Sequence, residues 1–168
     1  MMNVPYFEPW ITTKDKKSVM KSLDSRWLTN GPFLKKFEKK VSTFLETKFA
    51  IGTSSATTSL HLSLRALGIK PGDEVIVPTN TFAATENAVL YCGATPVLTD
   101  VDMDTFNISI TDTKKKITRK TKAIIPVHYG GQSCDLKEII SIGKKFNLKI
   151  VEDCAHALGA TYKNKKCG

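Results

Sequence analysis

From residue 49 to residue 152, short apolar runs alternate with segments of helical periodicity, and that alternation leaves few folds open. Phe49-Ala50-Ile51 and residues 74–77, 95–98, 122–128 and 149–152 read as strands. Between them, residues 59–67, 82–91, 110–118 and 136–146 read as helices, the first stopped by Gly68 and the second by Gly93. Strands separated by helices of this length imply a mostly parallel sheet flanked by helices, an α/β fold.

The N-terminal part lacks that alternation. Residues 14–23 read as a helix with Val19, Met20 and Leu23 on one side, and Asn30-Gly31-Pro32 ends whatever precedes it. Residues 33–45 form a second amphipathic pattern, with Phe33, Phe37, Val41, Phe44 and Leu45 at helical spacing, and this stripe is expected to pack into the core.

Length and charge exclude several function classes. A chain of 168 residues with 41% hydrophobic residues can bury one sizeable core. No run approaches the roughly 18 apolar residues of a membrane span, and residues 1–10 lack a charged-then-apolar leader, so a cytoplasmic setting is expected. The four cysteines show no CxxC pairing and fit reduced thiols. No ligand-pair spacing among the cysteines and His61, His128 and His156 supports a metal site. The net charge of +9 comes in clusters at residues 14–17, 35–40, 114–122 and 163–166. Each is a polar face or a connection, most of them mixed with Thr, Asp or Glu, so they read as solvated surface rather than as a nucleic-acid footprint. The same charge would help attract an anionic substrate.

Chemistry-bearing residues fall where the strands end, the edge at which open α/β sheets bind ligands. After the first apolar run comes Gly52-Thr53-Ser54-Ser55-Ala56-Thr57-Thr58, a hydroxyl-rich helix start. Its N–H groups with Ser55, Thr57 and Thr58 suit a phosphate, although a cap alone needs only one hydroxyl. Phe82, after the second run, is placed either to stack on a flat ligand or to begin the core of its helix. His128-Tyr129-Gly130-Gly131 follows the fourth run, its glycines serving a turn or a close backbone approach. Asp153 and His156 follow the fifth. Asp153 either caps a short helix or holds a protonated ring nitrogen, and His156 either packs beside it or bonds a second ring substituent. Together, a phosphate cradle, an aromatic ring and an Asp/His pair suit a phosphorylated aromatic ring whose nitrogen needs a counter-charge, which describes pyridoxal 5′-phosphate.

Six segments in order carry a resemblance. They are Trp27-Leu28-Thr29-Asn30-Gly31-Pro32 and residues 52–61, 68–78, 80–85, 123–130 and 152–159. The set resembles the sugar aminotransferases of the DegT/DnrJ/EryC1/StrS family, fold-type I enzymes that use pyridoxal phosphate to aminate keto groups of nucleotide-linked sugars. The resemblance implies that Asp153 pairs with the pyridine nitrogen and His156 with the ring hydroxyl. It further implies that Phe82 stacks on the ring, that Ser55, Thr57 and Thr58 hold the phosphate, and that Thr29, His128 and Tyr129 lie near the sugar or a dimer interface. It also implies an amino-acid donor such as glutamate and a homodimer. By the same comparison, residues 1–32 are an N-terminal arm and helix, and residues 33–168 are part of the cofactor-binding large domain. The family's Schiff-base lysine lies beyond the Asp/His segment. No lysine here stands in its place, so the chain is expected to be an N-terminal portion, inactive alone and without the small C-terminal domain. Within the resemblance a deoxysugar dehydratase, or a non-catalytic cofactor-binding remnant, stays open as an alternative.

Overall fold

The computed structural model describes residues 8–168. The chain divides into two compact units, one ending at Gly52 and one spanning Thr53–Gly168. Both helices that precede Gly52 belong to the first unit.

In the first unit, α1 (Thr13–Asp24) starts at a reciprocal cap. The Asp15 N–H donates to Thr12 Oγ1, and the Thr12 N–H donates to the Asp15 carboxylate at 2.8 Å. Pro32 opens α2 (Pro32–Leu45), where a missing N–H costs nothing, and the left-handed Glu46 closes it. The Gly52 N–H returns to Glu38 of α2 at 2.9 Å. The apolar stripe of α2 departs from expectation. Phe33, Phe37 and Phe44 are 42%, 58% and 44% exposed, so periodicity gave the helix correctly but not a core for it to face.

The second unit is a doubly wound α/β structure. Four parallel strands lie in the order β2 (Thr95–Thr99), β1 (Glu74–Pro78), β3 (Thr121–Ile124) and β4 (Lys149–Ile150). Helices α3 (Ala56–Ala66) and α4 (Ala84–Tyr91) cover one face. There Leu60, Leu64, Ala88 and Val89 bury Val75, Val77, Ala123 and Ile125, with Val151 beside them. Helices α5 (Ile110–Lys116) and α6 (Leu136–Phe146) belong to the other face, where Ile139 and Ile142 pack on Ile76 and Ile124, flanked by Ile110 and Ile150. The period-2 alternation thus sends the odd-numbered residues of β1, β3 and β4 and their extensions to α3 and α4 and the even-numbered ones to α6. Strand β2 is offset by one, so that Val97 pairs with Ile76 and packs on the α6 side. Each fully buried Leu, Ile or Val contributes about 1.5–3 kcal/mol.

Two strand expectations change. Phe49-Ala50-Ile51 is not a strand; among the described residues it joins no sheet, and Phe49 and Ile51 are 74% and 83% exposed. An apolar triplet without an available sheet edge has nothing to pair with. The expected strand 122–128 ends its regular ladder at Ile124, because Pro126 has no N–H to contribute. Its pairing nevertheless continues. The Ile125 N–H reaches the Ile76 carbonyl, the Asp153 N–H the Pro126 carbonyl, and the His128 N–H the Asp153 carbonyl. A feature that the periodicity does not announce is a hairpin of β5 (Thr161–Tyr162) and β6 (Lys165–Lys166), turned by Lys163 and Asn164, both with positive φ.

Candidate active site

The winding direction reverses between β1 and β3, and the crevice beyond their carboxyl ends is where such sheets take a ligand. Asp153 sits there, 7% exposed, bridged in parallel to Val127. Two donors fix its carboxylate. The Ala155 N–H donates to Oδ1 at 3.1 Å, and the Thr85 hydroxyl donates to Oδ2 at 3.0 Å. Thr85 is itself fully buried on α4, and its oxygen lies 2.7 Å from the Thr81 hydroxyl. Asp153 is therefore not a helix cap. It is a buried carboxylate held from two sides, and no basic side chain is hydrogen-bonded to it among the described residues.

His156 is exposed, and its ring meets Tyr129 edge-on at 6.3 Å between centroids. The Tyr129 turn is tied down by Asn107, whose Oδ1 accepts the Tyr129 N–H and whose amide donates to the Gln132 and Ser133 carbonyls. Gly131 has φ +87, and a Cβ there would lie 3.2 Å from the His156 carbonyl oxygen. The glycine thus serves both the turn and the close approach.

A short turn joins the C-terminus of α3 to the start of β1, so α3 runs back along the sheet and carries its N-terminus toward the carboxyl edge. Ser55 caps it, accepting the Thr58 N–H at 3.2 Å. The Thr58 hydroxyl lies 3.1 Å from Ser55 Oγ and 3.2 Å from Ser54 Oγ. Thr57 stands in the first turn outside this hydroxyl network. Phe82, before α4, is 77% exposed, which removes the core reading for its ring. Thr29 belongs to the first unit, in a turn where its carbonyl accepts the Gly31 N–H at 2.6 Å.

His128 is placed differently from a substrate contact. Its ring is fully buried on the opposite face of the sheet from Asp153, and both ring nitrogens are taken. Nδ1 accepts the Cys134 N–H at 3.0 Å, so Nε2 carries the proton and donates it to Glu152 at 3.0 Å. Glu152 also accepts the Gly168 N–H at 3.1 Å. The His128 bond and that N–H hold the Glu152 carboxyl below the ordinary carboxylate range, against its burial. Donor atoms of His128, Glu152 and Cys167 do gather within 4.8 Å. A metal would need the Nε2 lone pair that the proton occupies, so His128, Glu152 and the Gly168 N–H form a hydrogen-bonded brace, with the Cys167 thiol beside it. Burial, more than the neighbouring Glu152 charge, pushes Cys134 and Cys154 up to about 12.

Thr85, Asn107 and Glu152 are the site residues that spacing did not point to. A threonine inside a helix and an asparagine in a loop carry no periodic signal, and their partners lie 68 residues away for Thr85 and 22 for Asn107.

A doubly wound sheet with a buried carboxylate at its switch point, not hydrogen-bonded to a basic side chain among the described residues, and a hydroxyl-rich helix start is the large-domain architecture of the aminotransferases that it superposes on. The chain belongs to the DegT/DnrJ/EryC1/StrS aminotransferase family, which it matches over residues 9–168. It is 45% identical over 169 residues to the GDP-perosamine synthase of Escherichia coli O157:H7, covering 100% of this chain and 46% of that protein. Among solved structures, the aminotransferase from Psychrobacter cryohalolentis superposes with a TM-score of 0.92 at 39% identity, covering 96% of this chain and 42% of the other. NtdA from Bacillus subtilis, solved with bound cofactor PMP, superposes with a TM-score of 0.85 at 40% identity, covering 90% and 36%. The chain thus spans about half the length of the curated relative it matches. Among the described residues no helix is long and apolar enough to cross a membrane.

Proposed function

We propose that the protein is a pyridoxal-phosphate-dependent transaminase acting on a keto group of a nucleotide-linked sugar, with an amino acid such as glutamate as donor. The observation that carries this is Asp153: a buried carboxylate at the switch point, oriented by two donors and, among the described residues, hydrogen-bonded to no basic side chain. Such a group needs a cation, and a protonated ring nitrogen is one. When bound, the cofactor supplies an electron sink for the carbon losing its proton.

The residues present fit that cofactor. Asp153 holds the proton on the ring nitrogen, and the exposed Phe82 ring offers a stacking face. His156 is steadied by Tyr129 and bonds the ring hydroxyl. The N–H groups at the start of α3, with Thr57 and the Ser55–Thr58 pair, receive the phosphate. Tyr129, beside His156, serves the sugar. His128 serves the scaffold, since its ring faces no open space. A cytoplasmic homodimer completes the proposal.

The test uses the full-length protein, pyridoxal phosphate, glutamate and a panel of GDP-, UDP- and dTDP-linked keto-sugars, with amino-sugar product measured by mass spectrometry. Transfer of the glutamate nitrogen to one of them, lost in Asp153→Asn, is the expected result. Activity undiminished in Asp153→Asn removes the assignment.

A further inference from the structure

We propose that Thr85, backed by Thr81, is a positioning residue that sets how firmly the ring nitrogen of the bound cofactor keeps its proton; the inference rests on the cofactor assignment above. An ionised carboxylate only accepts hydrogen bonds, so at 3.0 Å the Thr85 hydroxyl must donate to Asp153 Oδ2. Its proton being spent, Thr85 Oγ1 can only accept at 2.7 Å from Thr81. The chain of hydroxyls therefore has one direction: Thr81 to Thr85 to Asp153. An acceptor that is also a donor is polarised, and its donated bond strengthens.

The placement makes this more than routine satisfaction of a buried group. Thr85 is fully enclosed on α4, while Thr81 is only partly buried. Asp153 is reached from a different element, 68 residues later. Among the described residues the other donor to the carboxylate is the Ala155 N–H on Oδ1. One donor per oxygen, one from two residues on and one from α4, fixes the plane of the carboxylate. Without Thr85 the group is free to turn about its last torsion and its hold on a ring N–H weakens. In place of Thr85 a valine would be nearly isosteric and lack only the donor.

The experiment loads the full-length protein with pyridoxal phosphate labelled with ¹⁵N in the ring and follows its NMR shift against pH. In Thr85→Val the ring nitrogen should lose its proton at a pH lower by about one unit or more than in the wild type. Thr85→Ser, which keeps the hydroxyl, should restore the wild-type titration, and Thr81→Val should give a smaller shift in the same direction. A Thr85→Val titration matching the wild type overturns the proposal, whatever happens to its melting temperature. Should Thr85→Val not fold, Thr81→Val carries the test, and an unshifted titration there overturns it. Asp153→Asn separates the two levels. If it leaves the nitrogen titration unchanged, the cofactor assignment itself fails; if it shifts while the Thr85 and Thr81 variants do not, only the role of Thr85 fails.

Discussion

Glu152 and Asp153 are adjacent in sequence, yet their carboxylates leave the sheet on opposite faces, one against His128 and the other against Thr85. The same alternation that sorts the core between α3/α4 and α6 sorts these two acids into different work. Asp153 faces the crevice. Glu152 ties the β3 extension to the C-terminal segment through His128 and Gly168.

The Glu152 brace gives a pH dependence with a definite sign. Its carboxyl is lowered from an ordinary value of 4.5, chiefly by the His128 hydrogen bond. Because the folded value lies below the unfolded one, the ionised form adds stability that is complete above 4.5 and drains away as the pH falls through the lower folded value. Urea unfolding across that range should show the wild type losing stability more steeply than Glu152→Gln. At neutral pH, Glu152→Ala leaves the buried His128 Nε2–H without its acceptor and should cost about 1–3 kcal/mol. Identical acid profiles for wild type and Glu152→Gln would mean that the brace stabilises nothing.

All four cysteines are free thiols, and the environment of Cys134 and Cys154 pushes both up to about 12. Thiols raised this far are almost wholly protonated near neutral pH, so alkylation should be slow. Mass spectrometry after iodoacetamide treatment of the native protein should find both unmodified on a timescale that labels a free cysteine peptide fully. Denaturant should expose them. Rapid native labelling of Cys154 would show that its enclosure is not maintained in solution.

Gly131 couples two halves of the crevice. Alanine there meets a positive φ of 87° and puts a Cβ 3.2 Å from the His156 carbonyl. Strain of this kind costs about 1–2 kcal/mol, and the cheapest relief is to move the His156 backbone. Gly131→Ala should therefore lower both the unfolding midpoint and cofactor affinity. By contrast, Gly130→Ala meets no atom within 4 Å and should lower mainly stability. Equal cofactor affinity in both variants would break the link between this turn and His156.

What the sequence showed directly was whatever has a local cause. Helix α6 occupies the stretch its periodicity marked, with the Asp135 cap at one end and the left-handed Asn147 at the other. Strands β1 and β2 are each within a residue of expectation, since an apolar run between turns is its own signal. The misses share a different cause. Phe49-Ala50-Ile51 has strand composition, but pairing needs a free edge, and no local pattern reports one. His128 looked like a site residue by its position after a strand, and only the register of that strand decides which face its ring takes. Thr85 became visible once α4 was laid against the end of β4.

The start of α3 separates a phosphate site from an ordinary cap. Ser55 already spends its oxygen on the Thr58 N–H, and the Thr58 hydroxyl is shared with Ser54 and Ser55. Thr57 takes no part in that network, so removing its hydroxyl should leave the helix intact. If the cradle holds the cofactor phosphate, Thr57→Val loses one charge-assisted bond and should weaken pyridoxal phosphate binding about tenfold, roughly 1.4 kcal/mol. Pyridoxal, which lacks the phosphate, should bind Thr57→Val as it binds the wild type. Ser55→Ala is the contrasting variant: loss of the cap costs about 1 kcal/mol of helix stability and should weaken both ligands by loosening the first turn. Fluorescence titrations of the full-length protein with each ligand give the four comparisons. Equal losses for the two ligands in Thr57→Val would show that its hydroxyl shapes the helix start rather than reads the phosphate.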